Sequence, residues 1–416
     1  MFKKVSVGLM LAVTCFTAAT VAHADVVTDW NAHTLRCVQG GPGVPANRTG
    51  PVGLLDIALV QAAVHDAVQA VEGRYEAYRY SNPNLLGAGS TNAAAASASY
   101  RMLIGLYGAD DPCLVGVPDP AVTYAGDGGL QAGNEAAAVM LPLYRPTFVS
   151  PIDPFIGGTE PGEWRPTPNV TMAANTFMAY TEPFTLKTTR QFRPQPPPPM
   201  VSEIYTREYN EVKALGSLTG SSRTAEQTDL ARFWFANPIA TWFATLRGIA
   251  MANITNVGDN ARLFALAGMA SADGQMTVYE SKAHYNFWRP ITAIWFGDDD
   301  GNPDTEGDPT WMPLMQTPPY ADHSSGANCL ASSILSTVEL VLGTDAINFS
   351  IASSIAGLTT NPRLYNSLST ALDDIVDVRI LQGIHFRSAD IEGRRQGARV
   401  AHWAYQRFLR PLPGTR

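Results

Sequence analysis

Three short segments of this 416-residue chain set cations, small residues and a histidine where oxyanion chemistry would use them. In SKAHYNFWRPIT, Lys282 and Arg289 stand seven residues apart, close to two helical turns, so both can face one way. A guanidinium fork and an ammonium point charge together suit a phosphate-like ion; a basic helix end favoured by the helix dipole is the structural alternative. In YADHSSGANCL, Ser324 and Ser325 precede a helix whose apolar face runs through Leu330, Ile334, Val338 and Leu342. The free N–H groups of such an end attract an anion, and Gly326 lets one approach the backbone; ordinary capping would use the same residues. In the third segment an apolar stripe of Leu364, Leu368, Leu372 and Ile375 reaches Arg379. A guanidinium on such a face needs a partner, either an anion or one of Asp373, Asp374 and Asp377. Gly383 ends that helix, and His385 follows six residues after Arg379.

The elements that must carry these residues read as helices. Residues 53 to 73 put Ile57, Val60, Val64, Ala67, Val68 and Val71 on one face, and Ala-rich stretches near 91 to 108 and 129 to 144 behave alike. Thr224 and Gln227 form a capping box, and further helices are expected near 239–253, 258–283, 325–343, 362–382 and 390–409. Gly- and Pro-rich stretches at 109–128 and 145–170 read as loops, and PQPPPPM at 194–200 as an extended connector. No segment alternates as a sheet would, so the expected fold is all-α, a helical bundle of about ten helices.

Lys3 and Lys4, an apolar run and Ala22-His23-Ala24 make a secretory signal, with cleavage expected after Ala24 and a periplasmic or secreted destination. No later run of eighteen apolar residues suggests a membrane span in the mature chain, which is expected to be soluble. One domain over 25–416 is expected, its C-terminal half, about 255–410, carrying the site. The chain has 29 basic and 37 acidic residues, a net charge of −8; without Lys3 and Lys4 it is 27 against 37, or −10. That balance argues against a nucleic-acid partner. Cys37, Cys113 and Cys329 remain after the signal, and Cys37 with Cys113 is the expected disulfide. The acidic loop at 298–308 offers carboxylates to calcium but lacks the glycine and distal glutamate of an EF-hand. His65 and His402 read as structural.

Taken together, K-x6-R-P, S-G at a helix start and R-x5-H resemble the active-site signature of the vanadium-dependent haloperoxidase and phosphatidic acid phosphatase type 2 superfamily. Flanking text such as HYNFWRPITAI, GIHFRSAD and GTEPGEWRPTP resembles its bacterial secreted branch, over most of the mature chain. The resemblance implies the helical-bundle fold and makes Lys282, Arg289 and Arg379 the clamp on an oxyanion, with Ser325 and the Gly326 N–H donating to it. His385 becomes the apical residue, binding vanadium in a peroxidase that oxidises halide with hydrogen peroxide, or attacking phosphorus in an acid phosphatase acting on a phosphomonoester. Vanadate is the implied cofactor of the first activity; in the second, phosphate belongs to the substrate. The chain departs from the pattern at Ala327, where the family has an acid–base histidine directly after Ser-Gly. A non-catalytic oxyanion-binding relative is therefore a third reading. His323 is a possible substitute acid–base, with His284 nearby, and Asp322 is another candidate if burial raises its pKa. Asp390 is expected to carry little weight.

Overall fold

The structure is a computed structural model and describes residues 25–48, 50–143, 157–168 and 170–414. The expected signal at 1–24 and much of the loop expected at 145–170 lie outside the described residues. Thirteen α-helices run through the described chain: α1 (Val26–Gln39), α2 (Val52–Glu72), α3 (Thr91–Tyr107), α4 (Pro120–Thr123), α5 (Gly129–Met140), α6 (Glu203–Gly216) and α7 (Ala225–Phe233). They continue as α8 (Pro238–Asn253), α9 (Val257–Tyr285), α10 (Pro290–Trp295), α11 (Gly326–Leu342), α12 (Leu368–Leu381) and α13 (Arg387–Arg407).

Two helices organise the packing because they have no polar face to give to solvent. In α2 every residue from Gly53 to Val71 is buried, and α9 is buried along nearly all of its 29 residues, roughly 43 Å of axis. α2 packs on α9, α3 and α5; α9 also packs on α11 and α13, which pack extensively on each other. α2 is long and apolar enough to cross a membrane, but it is wholly enclosed by its neighbours. The expected disulfide is present, joining Cys37 of α1 to Cys113, while Cys329 is a buried thiol.

The approach of α13 to α11 depends on two glycines one turn apart. A Cβ on Gly393 would lie 2.3 Å from the Ser325 carbonyl oxygen, and one on Gly397 would lie 2.3 Å from that of Cys329. The glycine face of α13 thus lies against the start of α11, where the Ser325 N–H donates to the Ala389 carbonyl at 2.9 Å.

The expected helix at 362–382 begins later than its apolar stripe suggests. Arg363–Tyr365 is a strand, paired antiparallel with Phe349–Ile351, and Leu364 is 80% exposed. Ion pairs from Arg363 to Glu226 and Asp229 anchor this ribbon, and Ser367 then caps α12 by accepting from the Thr370 N–H. The ribbon is a local addition to the all-α bundle that the sequence leads one to expect, with strands of three residues each. The helices α1, α4, α6 and α10 were not foreseen. α4 and α10 are too short to show a period, and α1 and α6 start at Asp25 and Ser202 caps whose following residues carry few strongly apolar side chains.

Candidate active site

Helix ends bring the three segments together. Lys282 lies in the last turn of α9, which Asn286 ends in the left-handed region. Arg289 stands at the N-cap position of α10, ahead of Pro290, without capping it by its side chain. Gly326 is the first residue of α11, Arg379 lies in the last turn of α12, and Gly383, at φ +78°, turns the chain so that His385 faces back. A side chain on Gly383 would also strike the Gly216 carbonyl, 2.5 Å from its Cβ position.

The cations hold the segment before α11 by its carbonyls. The Lys282 Nζ donates to Ala321 O at 2.7 Å and Asp322 O at 2.9 Å. Arg289, with no exposed surface, donates through Nε to Tyr320 O and through Nη1 to Ile384 O, both at 2.7 Å. Each cation stands 5.0 Å from the centroid of the Tyr320 ring, close enough for a cation–π contact. Arg289 Nη1 also lies 3.1 Å from His385 Nε2 and 3.5 Å from Asp322 Oδ1, and His385 Nδ1 lies 2.8 Å from the same Asp322 oxygen.

Burial governs the titration of this cluster. Desolvation drives Lys282 and His385 well below their usual values, with neighbouring Arg289 adding to both, and it lowers Arg289 and Arg379. The same desolvation lifts Asp322 to about 7 against the pull of Arg289 and Lys282, and raises Asp390 well above the carboxylate range. Three buried cations thus face two carboxyls that resist ionising. Arg289 Nη2 and Arg379 Nε are buried and find no hydrogen-bond partner among the described residues. Buried guanidinium N–H groups left unpaired are costly, so these donors fit an anion with several acceptor oxygens.

A cavity of about 340 Å³ opens at this point. Gly326, Ala327, Tyr320, Arg379 and His385 are among its lining residues. The acids offered as partners of Arg379 are engaged elsewhere: Asp373 with Arg394, Asp377 with Arg387 and Asp374 with the Tyr365 hydroxyl. Arg379 instead donates to Gln382 Oε1 at 2.6 Å. Lys282 and Arg289 are not among the lining residues; they reach the wall through Tyr320 and His385.

Two expectations need correction. Ser325 occupies the N-cap of α11 without capping it: its hydroxyl accepts from Asn328 Nδ2 at 3.3 Å and bonds Asp390, so it serves the wall behind the anion donors. His323 is no ready substitute acid–base. Its Nε2 lies 2.8 Å from the Gln195 carbonyl in the Pro-rich connector, its ring meets Tyr285 edge-on, and burial pushes its pKa down to about 4. His284 is exposed, beside Arg193. Asp390, given little weight in the sequence, is fully buried and accepts from Asn328 Nδ2 at 2.8 Å. Its place three residues into α13, on the face toward α11, is a tertiary fact with no local signal. In the acidic loop, Asp298, Asp300 and Asp308 accept from Gly307, Thr305 and Thr310, and no group of His, Cys, Asp and Glu among the described residues could hold a metal ion. His65 and His402 bond backbone carbonyls of Glu76 and Ala398, as structural residues do.

Known proteins resemble the chain in sequence and share its fold. Residues 262–414 match the family model described as VCPO second helical-bundle domain. Over 456 aligned positions the chain is 25% identical to vanadium chloroperoxidase of Curvularia inaequalis, covering 84% of this chain and 72% of that protein. A solved bacterial vanadium-dependent iodoperoxidase superposes with a TM-score of 0.73 at 21% identity, over 94% of this chain and 96% of its own. A holo-type bacterial vanadium-dependent chloroperoxidase gives 0.70 at 14% identity, over 92% and 97%.

Proposed function

From a chain that resembles the vanadium haloperoxidases and shares their helical fold, we propose an oxyanion-dependent enzyme of haloperoxidase type, oxidising halide with hydrogen peroxide. The observation that carries this reading is the pair of orphaned guanidinium donors, Arg289 Nη2 and Arg379 Nε, in the cluster that holds His385 and the start of α11. Vanadate would be held by Lys282, Arg289, Arg379, the Gly326 N–H and, at the apex, His385, and would supply Lewis acidity toward peroxide. The protein's own part is electrostatic and positional. The cations offset the anion's charge in a desolvated site, where such donors act strongly and need no reorganisation. His385 is a useful ligand because burial and its cationic neighbours keep the ring neutral.

Ala327 puts a methyl group where a histidine would handle protons. Asp322, in contact with His385, is the carboxyl left to handle protons there, which makes slow turnover part of the reading. Export to the periplasm or medium completes the proposal, and it accords with the Cys37–Cys113 disulfide; N-terminal sequencing of exported protein should begin at Asp25.

The test is bromination of a phenol dye by purified protein and peroxide, with and without orthovanadate, beside p-nitrophenyl phosphate hydrolysis. Vanadate-dependent bromination lost in His385→Ala supports the haloperoxidase. Phosphomonoester hydrolysis lost in the same variant, without bromination, would move the chain to the phosphatases. Vanadate binding with neither activity would mark a relative that keeps the site without the chemistry.

A further inference from the structure

The cavity above the anion donors is larger and more apolar than an inorganic ion requires. A tetrahedral oxyanion displaces on the order of four waters, roughly 120 Å³, whereas the cavity holds about 340 Å³. The remaining space is walled by Trp234, Trp242, Ile239, Leu54, Leu330 and Ile375. Trp234 and Trp242 are themselves stacked, centroids 5.2 Å apart at 26°, which gives the wall a flat aromatic element. Phe235, also in the lining, is 43% exposed.

Polar capacity is distributed unevenly along this space. Next to the tryptophans, the Asn237 carboxamide is spent: its oxygen caps α8 through Ile239 and Ala240, and its nitrogen donates to Gln39 Oε1 at 2.6 Å, which leaves two neutral donors of the lining, Gln39 Nε2 and Trp234 Nε1, without a partner among the described residues. At the other end sit Arg379, with its unpaired Nε, His385 and the first residues of α11. Ala327 extends the apolar lining up to those donors, since its methyl group forms no hydrogen bond. Such a site, largely apolar and uncharged along its length and cationic at one end, matches a ligand of the same asymmetry.

Resting on the oxyanion reading above, we propose that the cavity is a subsite for an aromatic ring held directly beside the bound oxyanion. The ring has two possible sources. It is carried by the oxyanion itself, as in an aryl phosphate, or it belongs to a separate phenol lying next to bound vanadate. The recognition chemistry is the same: a planar apolar group of one ring against Trp234 and Trp242, within contact of the Ala327 methyl group.

The test is calorimetric titration of the purified protein with inorganic phosphate, methylphosphonate and phenylphosphonate. Burying a phenyl ring in place of a methyl group predicts at least about tenfold tighter binding of phenylphosphonate, with a saturable change in tryptophan fluorescence that methylphosphonate does not cause. Phe235→Ala, a change at an exposed residue, should shrink that preference while leaving methylphosphonate affinity unchanged; Trp242→Phe should reduce it further. Phenol titrated into vanadate-loaded protein separates the two sources, since only a separate-ring site gives a saturable fluorescence change with phenol. Equal affinities for the two phosphonates overturn the subsite and leave the clamp standing. Failure of phosphate, vanadate and both phosphonates to bind overturns the clamp, and the subsite with it.

Discussion

His385 Nδ1 and Asp322 Oδ1 lie 2.8 Å apart, both side chains almost wholly buried, with Arg289 Nη1 3.5 Å from the same oxygen. Asp322 Oδ1 takes part in no hydrogen bond among the described residues, so what joins the pair is electrostatic contact. A carboxyl this close favours the tautomer with its proton on Nδ1, and Nε2 then faces Arg289 Nη1 at 3.1 Å, the position a bound anion would contest. Asp322→Asn should therefore weaken vanadate binding by roughly ten- to a hundredfold and change the nitrogen-15 shifts of His385 toward the other tautomer. Unchanged shifts and affinity would reduce Asp322 to a packing residue.

Ala327 offers a gain-of-function test. A histidine there would stand in the cavity lining with Arg379 and His385. Ala327→His should raise peroxide-dependent bromination by about 10² to 10⁴ while changing vanadate affinity little. If kcat does not rise, the shortfall in proton handling lies elsewhere.

The two arginines should fail differently. Among the described residues the Arg379 side chain donates to Gln382 alone, so Arg379→Met should cost about 1.5–3 kcal/mol of oxyanion affinity with little loss of fold stability. Arg289 holds Tyr320 O and Ile384 O and faces Asp322, so Arg289→Met should destabilise the fold by about 3–5 kcal/mol as well. Paired phosphate titrations and urea melts read the contrast.

Asp273 supplies a pH signature away from the site. It accepts from the N–H groups of Phe184, Thr185 and Leu186 and from the Thr185 hydroxyl, yet burial, the larger influence, lifts its pKa to about 6. Between the usual value near 4 and 6 the folded chain binds the proton more than the unfolded chain does. Stability attributable to this group therefore falls as pH rises through that window and is level above it. Urea melts of wild type against Asp273→Asn from pH 4 to 8 should show the difference shift toward the variant through pH 6 and level off about one unit above it.

Gly393→Ala should disturb the site without touching a ligand. The added methyl group meets the Ser325 carbonyl at 2.3 Å, so α13 must retreat from the start of α11, at a cost of about 1–3 kcal/mol. Vanadate affinity should fall with stability; a thermal melt unchanged from wild type would show that the helices have slack.

The sequence by itself determined the parts of this protein that are local. Helical period marked α2, α3, α9 and α11, and the Thr224–Gln227 box marked α7, because side-chain burial in a helix repeats every three or four residues. Lys282, Arg289, Arg379 and His385 were legible because a cation or imidazole against an apolar stripe or helix break has few cheap structural uses. Leu364 misled because an apolar residue in register with a stripe carries no mark of the turn beside it. Tertiary structure alone decided that Asp322 meets His385, that Asp390 meets Asn328 from another helix, that His323 turns to Gln195 and that Trp234 and Trp242 wall a cavity. These contacts join distant segments whose meeting depends on how closely helices pack, as with Gly393 and Gly397 against α11, and no local periodicity encodes that distance.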